Sequence, residues 1–408
     1  MMVKRRALPL LIASALAVVV YVIFTLPRSQ PGNLQDLQHL YLHHISDQSI
    51  TPVNDTKHFM VGAYKEHRLE GSSVRIISIF RRDSVQPLYC VFYCGTHWAN
   101  GMKAEVQMHS DHFGFRFVTT DVLCPNVPDC NPSHVTLATQ ADTKLAQNQS
   151  FLRIQNLVKR EEEKFQFNFT VCWSNLFGDY NNVLQVTQTL EMYKLLGVQH
   201  VVVYNTSSGS DLDRLLQSYT QDGFVEVVPW PIGKYMNPSR GWQPSEHGGD
   251  IHYYGQLTTL NDCVYRQMYQ SRYVLLNDID EIIAPYQHQT LPQMMDVLQR
   301  QNPKAEVFLI ENHIFPKSQF EPSGRFELPR WRNVPGINIM AHIYREEPDY
   351  RISHPSKMIV RPRVPLQGGL TKEELHEDKR VWDYERQLVP NVDKALEQAG
   401  LLIEGRKE

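Results

Sequence analysis

Beyond Lys164 the apolar positions alternate between short continuous runs and helical spacing. Residues 165–172 form a strand-like run. Val183, Val186, Leu190, Tyr193 and Leu196 then recur every three or four positions and stop at Gly197. This predicts an amphipathic helix with a glycine at its C-terminal stop. Residues 198–204 (VQHVVVY) read as a second strand. Leu212, Leu215, Leu216 and Tyr219 mark a second helix, capped by Ser210 or Asp211 and stopped at Gly223. Residues 224–228 are a third strand, and a helix over about 254–269 leads into the apolar run Tyr273-Val274-Leu275-Leu276. Strands and helices alternating at this tempo imply a parallel, Rossmann-like sheet, and so the α/β class.

The pattern ahead of this region is different. Residues 74–80, 88–93 and 113–118 are short strand-like segments separated by turn residues, which predicts a small β-rich module over 58–150. Residues 27–57 are polar, begin at Pro27 and read as a stem. Residues 7–26 are uncharged and apolar, long enough at ~1.5 Å per residue to cross ~30 Å of hydrocarbon. Lys4, Arg5 and Arg6 precede them, so residues 1–6 are expected to stay cytosolic and the body to be lumenal, behind an uncleaved signal anchor.

A net charge of −3 argues against a nucleic-acid binder, which needs a concentrated basic face. Six cysteines (Cys90, Cys94, Cys124, Cys130, Cys172 and Cys263) allow up to three disulfides in an oxidising lumen, with the pairing open. Zinc is the alternative, but Cys90/Cys94 and Cys124/Cys130 have poor spacing for it. Asn54, Asn148, Asn168 and Asn205 each open an N-glycosylation triplet. Pro132 excludes Asn131.

The strongest chemical signal is Asp278-Ile279-Asp280-Glu281, directly after the fourth strand. Open α/β sheets bind ligands beyond the carboxyl ends of their strands. Two carboxylates at i and i+2 in that place suit a hard divalent cation and the phosphates it carries. The spacing alone is weak, since 44 acidic residues also give Asp211-Leu212-Asp213, a capped helix start. Context separates the two: Asp278 and Asp280 lie between an apolar strand and Ile282-Ile283, where unpaired carboxylates are costly to bury. A phosphohydrolase with an aspartyl nucleophile also carries D-x-D after a strand. That motif, however, opens its domain and is not followed by glutamate.

Over about 165–400 the chain resembles glycosyltransferase family 92, lumenal enzymes of the GT-A fold. The resemblance rests on residues 172–178 (CWSNLFG) and 191–198 (EMYKLLGV), on Gln256 with Asn261-Asp262-Cys263, and on Asn277-Asp278-Ile279-Asp280-Glu281. It implies transfer of a hexose, galactose in characterised members, from a UDP-sugar to a glycan acceptor with Mn²⁺ or Mg²⁺. By that resemblance Asp278 and Asp280 hold the metal and diphosphate. Cys172, Trp173, Gln256 and Asp262 join them around the donor, with the first strand under the uridine. An inverting transfer asks for a carboxylate base, for which Glu281 and Glu311 are the candidates. Trp331 is a candidate for stacking on a sugar, and Arg351, Lys357, Arg361 and Arg363 for holding phosphate. A Golgi membrane location follows from topology and resemblance together.

One departure stands out. The family carries histidines after the strand matching residues 356–362, whereas this chain has none between His354 and His376. A lost segment that supplies a metal ligand is therefore expected. The alternative function is an inactive relative that binds a glycan or a protein partner.

Overall fold

The computed structural model describes residues 45–68, 73–95, 98–142, 149–158, 164–347, 356–363, 374–377 and 384–402. The expected tail and anchor (1–26), most of the stem, Asn148, Arg351, His354 and the stretch after Arg363 lie outside them. Among the described residues no helix is long and apolar enough to cross a membrane. The described residues from Ser46 onward form one compact unit of mixed α/β architecture.

The first half is a curled sheet. Its strands are β1 (Thr51–Pro52), β2 (Phe59–Glu66), β3 (Ser73–Arg81), β4 (Tyr89–Tyr93) and β5 (Trp98–Lys103). They continue as β6 (Glu105–Met108), β7 (Phe117–Cys124), β8 (His134–Ala138) and β9 (Leu152–Gln155). The order is β5-β4-β8-β9-β2-β3-β7-β6, with β1 on β2. Alternate inward residues such as Ile76, Val122 and Leu137 make its core. The expected strand over 113–118 begins later, at Phe117, because Phe113 (φ 51°) and Gly114 (φ 88°) turn left-handed.

The second half is a six-stranded sheet, β12-β11-β10-β13-β16-β14. The parallel strands are β10 (Phe167–Trp173), β11 (His200–Asn205), β12 (Val225–Pro229) and β13 (Ser271–Asn277). At the other edge β16 (Lys357–Val360) runs antiparallel to both of its neighbours, β13 and β14 (Val307–Ile310). A separate pair joins β15 (Tyr344–Glu347) to β17 (Glu374–Glu377). The crossover helices are α1 (Val183–Leu195), α2 (Ser210–Gln221) and α3 (Gln256–Gln267), followed by α4 (Leu291–Gln301) and the closing α5 (Glu385–Gln398).

Helix α1 was expected to be amphipathic and is instead buried on all sides, between the sheet and α5. Its buried polar residues are accordingly paired, with the Thr189 hydroxyl as an exception among the described residues. Gln188 exchanges hydrogen bonds with Asn338 and the Ile339 amide, and Glu191 accepts from Tyr219 and Lys194. Gly197 (φ 84°) ends it in the left-handed turn the sequence asks for.

All six cysteines are paired, as Cys90–Cys124, Cys94–Cys130 and Cys172–Cys263. The zinc alternative is thereby excluded. The third disulfide ties the carboxyl end of β10 to α3.

The curled sheet packs on α3 through polar anchors as well as apolar contacts. Asp262 is fully buried and accepts from Tyr64 Oη at 2.5 Å, Tyr204 Oη at 2.6 Å and Arg266 Nη2 at 3.1 Å. Burial, reinforced by the Asp262 charge, raises both tyrosines well above the usual phenol range. They stay neutral donors.

Candidate functional site

Strand β13 ends at Asn277, and the chain turns at once. Glu281 N–H donates to the Asp278 carbonyl at 3.3 Å, and Asp278 N–H donates back to Glu281 Oε2 at 3.3 Å. Asn277, buried beneath, donates from Nδ2 to Tyr193 Oη at 2.6 Å and to the Glu281 carbonyl at 2.9 Å. Tyr193 itself donates to that carbonyl at 2.8 Å. A rigid base thus presents Asp278, Asp280 and Glu281 at the carboxyl end of the central parallel strand.

The cation that meets them is Lys357, the first residue of β16. Its Nζ lies 2.5 Å from Asp278 Oδ2 and 2.6 Å from Glu281 Oε2. The lysine side chain is only 15% exposed. It is therefore no solvated lysine, since antiparallel pairing of β16 on β13 delivers it under the turn. Burial lowers its ammonium, but Asp278 and Glu281 outweigh that and raise it. Burial, opposed by Lys357 and aided by Asp278, raises Glu281.

The two aspartates are not equivalent. Asp278 is committed, with Oδ1 accepting from Gln256 Nε2 at 3.1 Å and Oδ2 from Lys357. Asp280 is exposed: its main-chain carbonyl accepts from Gln185, and among the described residues no hydrogen bond reaches its carboxylate. Beside the turn opens a cleft of about 580 Å³, lined by Asp280, Glu281, Asn312, Lys357 and a wall that includes Ile283 and Ile339. Asn312 donates to Glu281 Oε1 at 3.3 Å. Glu311 also lines the cleft, 3.6 Å from His313 Nε2.

Gln256 reaches the turn because of the segment before it. Tyr253 (φ 35°), Tyr254 (φ 53°) and Gly255 (φ 77°) are three consecutive left-handed residues. The Tyr254 carbonyl accepts from Asn175 Nδ2 and Trp230 Nε1, each at 2.8 Å. The φ of 77° at residue 255 favours glycine, and a Cβ there would also crowd Ile232 Cδ1 at 2.9 Å. Tyr254 also stacks on Phe177 at 4.3 Å. The expected helix over 254–269 therefore starts only at Gln256.

Other expected residues lie elsewhere. Cys172 is in a disulfide, and Asp262 is locked between Tyr64, Tyr204 and Arg266, so neither faces the turn. Trp173 is fully buried beside Tyr193. Trp331 is a core residue whose Nε1 donates to Asp393 at 2.8 Å. Arg361 caps loop carbonyls at Pro303 and Ala305, and Arg363 packs over Phe165. Lys357 alone of the described basic candidates meets the carboxylates.

Sequence reasoning missed Asn312 and the stacked Phe177–Tyr254 pair. It also missed His252, which is 8% exposed, stacks on Phe113 at 4.5 Å and has an Nδ1 without a partner among the described residues. Burial, against the opposing charge of Asp111, lowers this imidazole to about 4. A folded value below the unfolded one gives stability that is present above pH ~6.5 and lost as pH falls toward 4. Chemical denaturation across that window is expected to show a loss on the order of 2 kcal/mol. His252→Phe, which keeps a ring on Phe113, should remove that component.

Among the described residues no cluster of three or more His, Cys, Asp or Glu is placed to hold a metal ion. The donor set around Asp280 suits a hard cation that arrives with oxygen ligands of its own, as magnesium-type ions do with phosphates.

Residues 167–367 match the sequence model of glycosyltransferase family 92. Two Caenorhabditis elegans proteins are similar. One, named Beta-1,4-galactosyltransferase galt-1, is 22% identical over 135 residues, 33% of this chain and 29% of that protein. The other, named Glycosyltransferase family 92 protein F13G3.3, is 28% identical over 117 residues, 28% of this chain and 22% of that protein. Each match spans less than a third of the relative's length.

Proposed function

With residues 167–367 forming a glycosyltransferase family 92 domain, we propose that the chain transfers a hexose, galactose first among them, from a UDP-sugar to a glycan acceptor. The placement of Asp278, Asp280 and Glu281 at the carboxyl end of β13, in the middle of the matched segment, carries this reading. The parallel order of β10 to β13 with its antiparallel edge supports a GT-A sheet.

The chemistry divides among these residues. The donor diphosphate lies over the turn, where Asp280 supplies the open carboxylate for a divalent cation and Asp278, oriented by Gln256 and Lys357, supports it. Mn²⁺ or Mg²⁺, if held by Asp280 with Asp278 in support, would offset the charge that grows on the diphosphate as it leaves. Glu281 accepts the proton of the acceptor hydroxyl. That oxygen forms its bond to the anomeric carbon on the face opposite the breaking bond to phosphate, and UDP departs with the electron pair. Lys357 contributes charge stabilisation from within the protein. Glu311, on the more open side of the cleft, is the second candidate for the base. Residues 7–26 anchor the protein in the Golgi membrane with its body in the lumen, a location that fits three disulfides.

A second reading, an inactive relative that binds glycans, is favoured by the absence of histidine between residues 354 and 376. Hydrolysis of UDP-galactose by the purified chain in Mn²⁺ separates the two. Measurable UDP release that chelation abolishes is expected. If only a version with the family's histidine-bearing stretch restored turns over, the transferase reading fails for this chain.

A further inference from the structure

Seven non-glycine residues among those described have positive φ: Asp55, Asp129, Asp179, Asn156, Phe113, Tyr253 and Tyr254. The first four are types that tolerate the left-handed region. The other three are all aromatic, and all gather at one place. Such conformations cost on the order of 1–3 kcal/mol each and persist where the surroundings fix them.

The surroundings fix these firmly. The Phe113 turn is closed by Gly114 N–H to His112 Nδ1 at 2.9 Å and by Phe115 N–H to the His112 carbonyl at 3.0 Å. Arg82 Nη2 donates to the Gly114 carbonyl at 3.2 Å, and Phe117 N–H donates to the Asp250 carbonyl at 2.9 Å. The result holds the Phe113 ring outward, 46% exposed, over the buried face of His252. Trp242, 50% exposed, stands at 75° to it with ring centroids 6.5 Å apart. Tyr253 meets His252 edge-on at 5.0 Å. From His252 the chain needs only Tyr253, Tyr254 and Gly255 to reach Gln256, which holds Asp278.

We propose that Trp242 and Phe113, on the bed of His252, form a carbohydrate-binding ledge that holds an outer sugar of an acceptor glycan while its reacting end lies at Glu281. Two exposed ring faces at a steep angle match a pyranose, which has an apolar C–H face and a polar edge. Asp111, whose charge acts on His252, and His247, which packs against Gly241 beside Trp242, offer hydrogen-bonding partners for that edge. An apolar protein partner fits less well, because Phe113 and Trp242 are the only large exposed apolar side chains of this loop cluster among the described residues. The ledge deepens the transferase reading by assigning its acceptor class, an oligosaccharide longer than a disaccharide.

The test is binding of the full chain to two glycan probes: lactose and a fluorescently tagged pool of released N-glycans. UDP binding is measured in parallel on every variant. Trp242→Ala is expected to weaken binding of the glycan pool at least tenfold, with lactose and UDP binding unchanged. Trp242→Phe should stay within threefold of the unsubstituted protein. Equal affinity of the Trp242→Ala variant for the pool overturns the ledge, as does failure of the unsubstituted protein to bind it. Glycan binding lost on Trp242→Ala in a protein that never binds UDP leaves the ledge standing and removes the transferase reading instead.

Discussion

Lys357→Met is expected to weaken UDP binding by tenfold to a hundredfold and to lower stability by about 2 kcal/mol. The ammonium bridges Asp278 and Glu281 at 2.5 and 2.6 Å. Without it two carboxylates face each other across one tight turn. Removing one partner of a buried pair leaves an uncompensated charge that costs about 3–5 kcal/mol. Here Asp278 is 35% exposed and Glu281 24%, so solvent screens part of that. A diphosphate over the turn loses a charge-assisted hydrogen bond as well, a contribution of about 1.5–3 kcal/mol. Lys357→Arg keeps the charge and should recover part of the affinity. Calorimetry of UDP binding and urea unfolding check the two effects separately. Unchanged UDP affinity in Lys357→Met would place the diphosphate away from this turn.

Asp262→Ala should have the largest effect on stability, about 3–5 kcal/mol. It leaves the Arg266 guanidinium buried with only Glu226, at 3.1 Å, as its remaining carboxylate. It also strips the acceptor from Tyr64 and Tyr204, whose strands belong to different sheets. Urea unfolding measures the loss, and UDP binding of the protein that remains folded should be unchanged. A variant that folds normally but loses UDP affinity would return Asp262 to the donor site, where the family resemblance puts it.

Those two residues mark what the sequence could carry. The spacing of apolar residues placed β10 to β13 and α1 to α3 within a few positions, because each strand buries a continuous run and α2 a stripe, although α1 is buried all round. It also placed Asp278 and Asp280 at a strand end. It could not place Asp262, whose acceptor role depends on Tyr64, 198 positions away, and on Tyr204. It read Lys357 as one basic residue among several, because the antiparallel edge that brings β16 under the turn follows from sheet order and not from local pattern. The left-handed turns at Phe113 and at Tyr253–Gly255 were equally hidden. The pattern predicts a strand over 113–118 and a helix from about 254, whereas bonds to His112 close the first turn and bonds from Asn175 and Trp230 hold the second.

The central claim is that Asp280 presents a metal-bound diphosphate site. Calorimetric titration of UDP into the purified chain, with and without Mn²⁺, tests it most directly when run beside Asp280→Asn. Asp280 is exposed and only its main-chain carbonyl is bonded among the described residues, so the substitution should leave the unfolding curve unchanged. The account predicts that Mn²⁺ tightens UDP binding at least tenfold in the unsubstituted protein and that Asp280→Asn abolishes this gain. Equal UDP affinity with and without Mn²⁺, unaltered by Asp280→Asn, would contradict it.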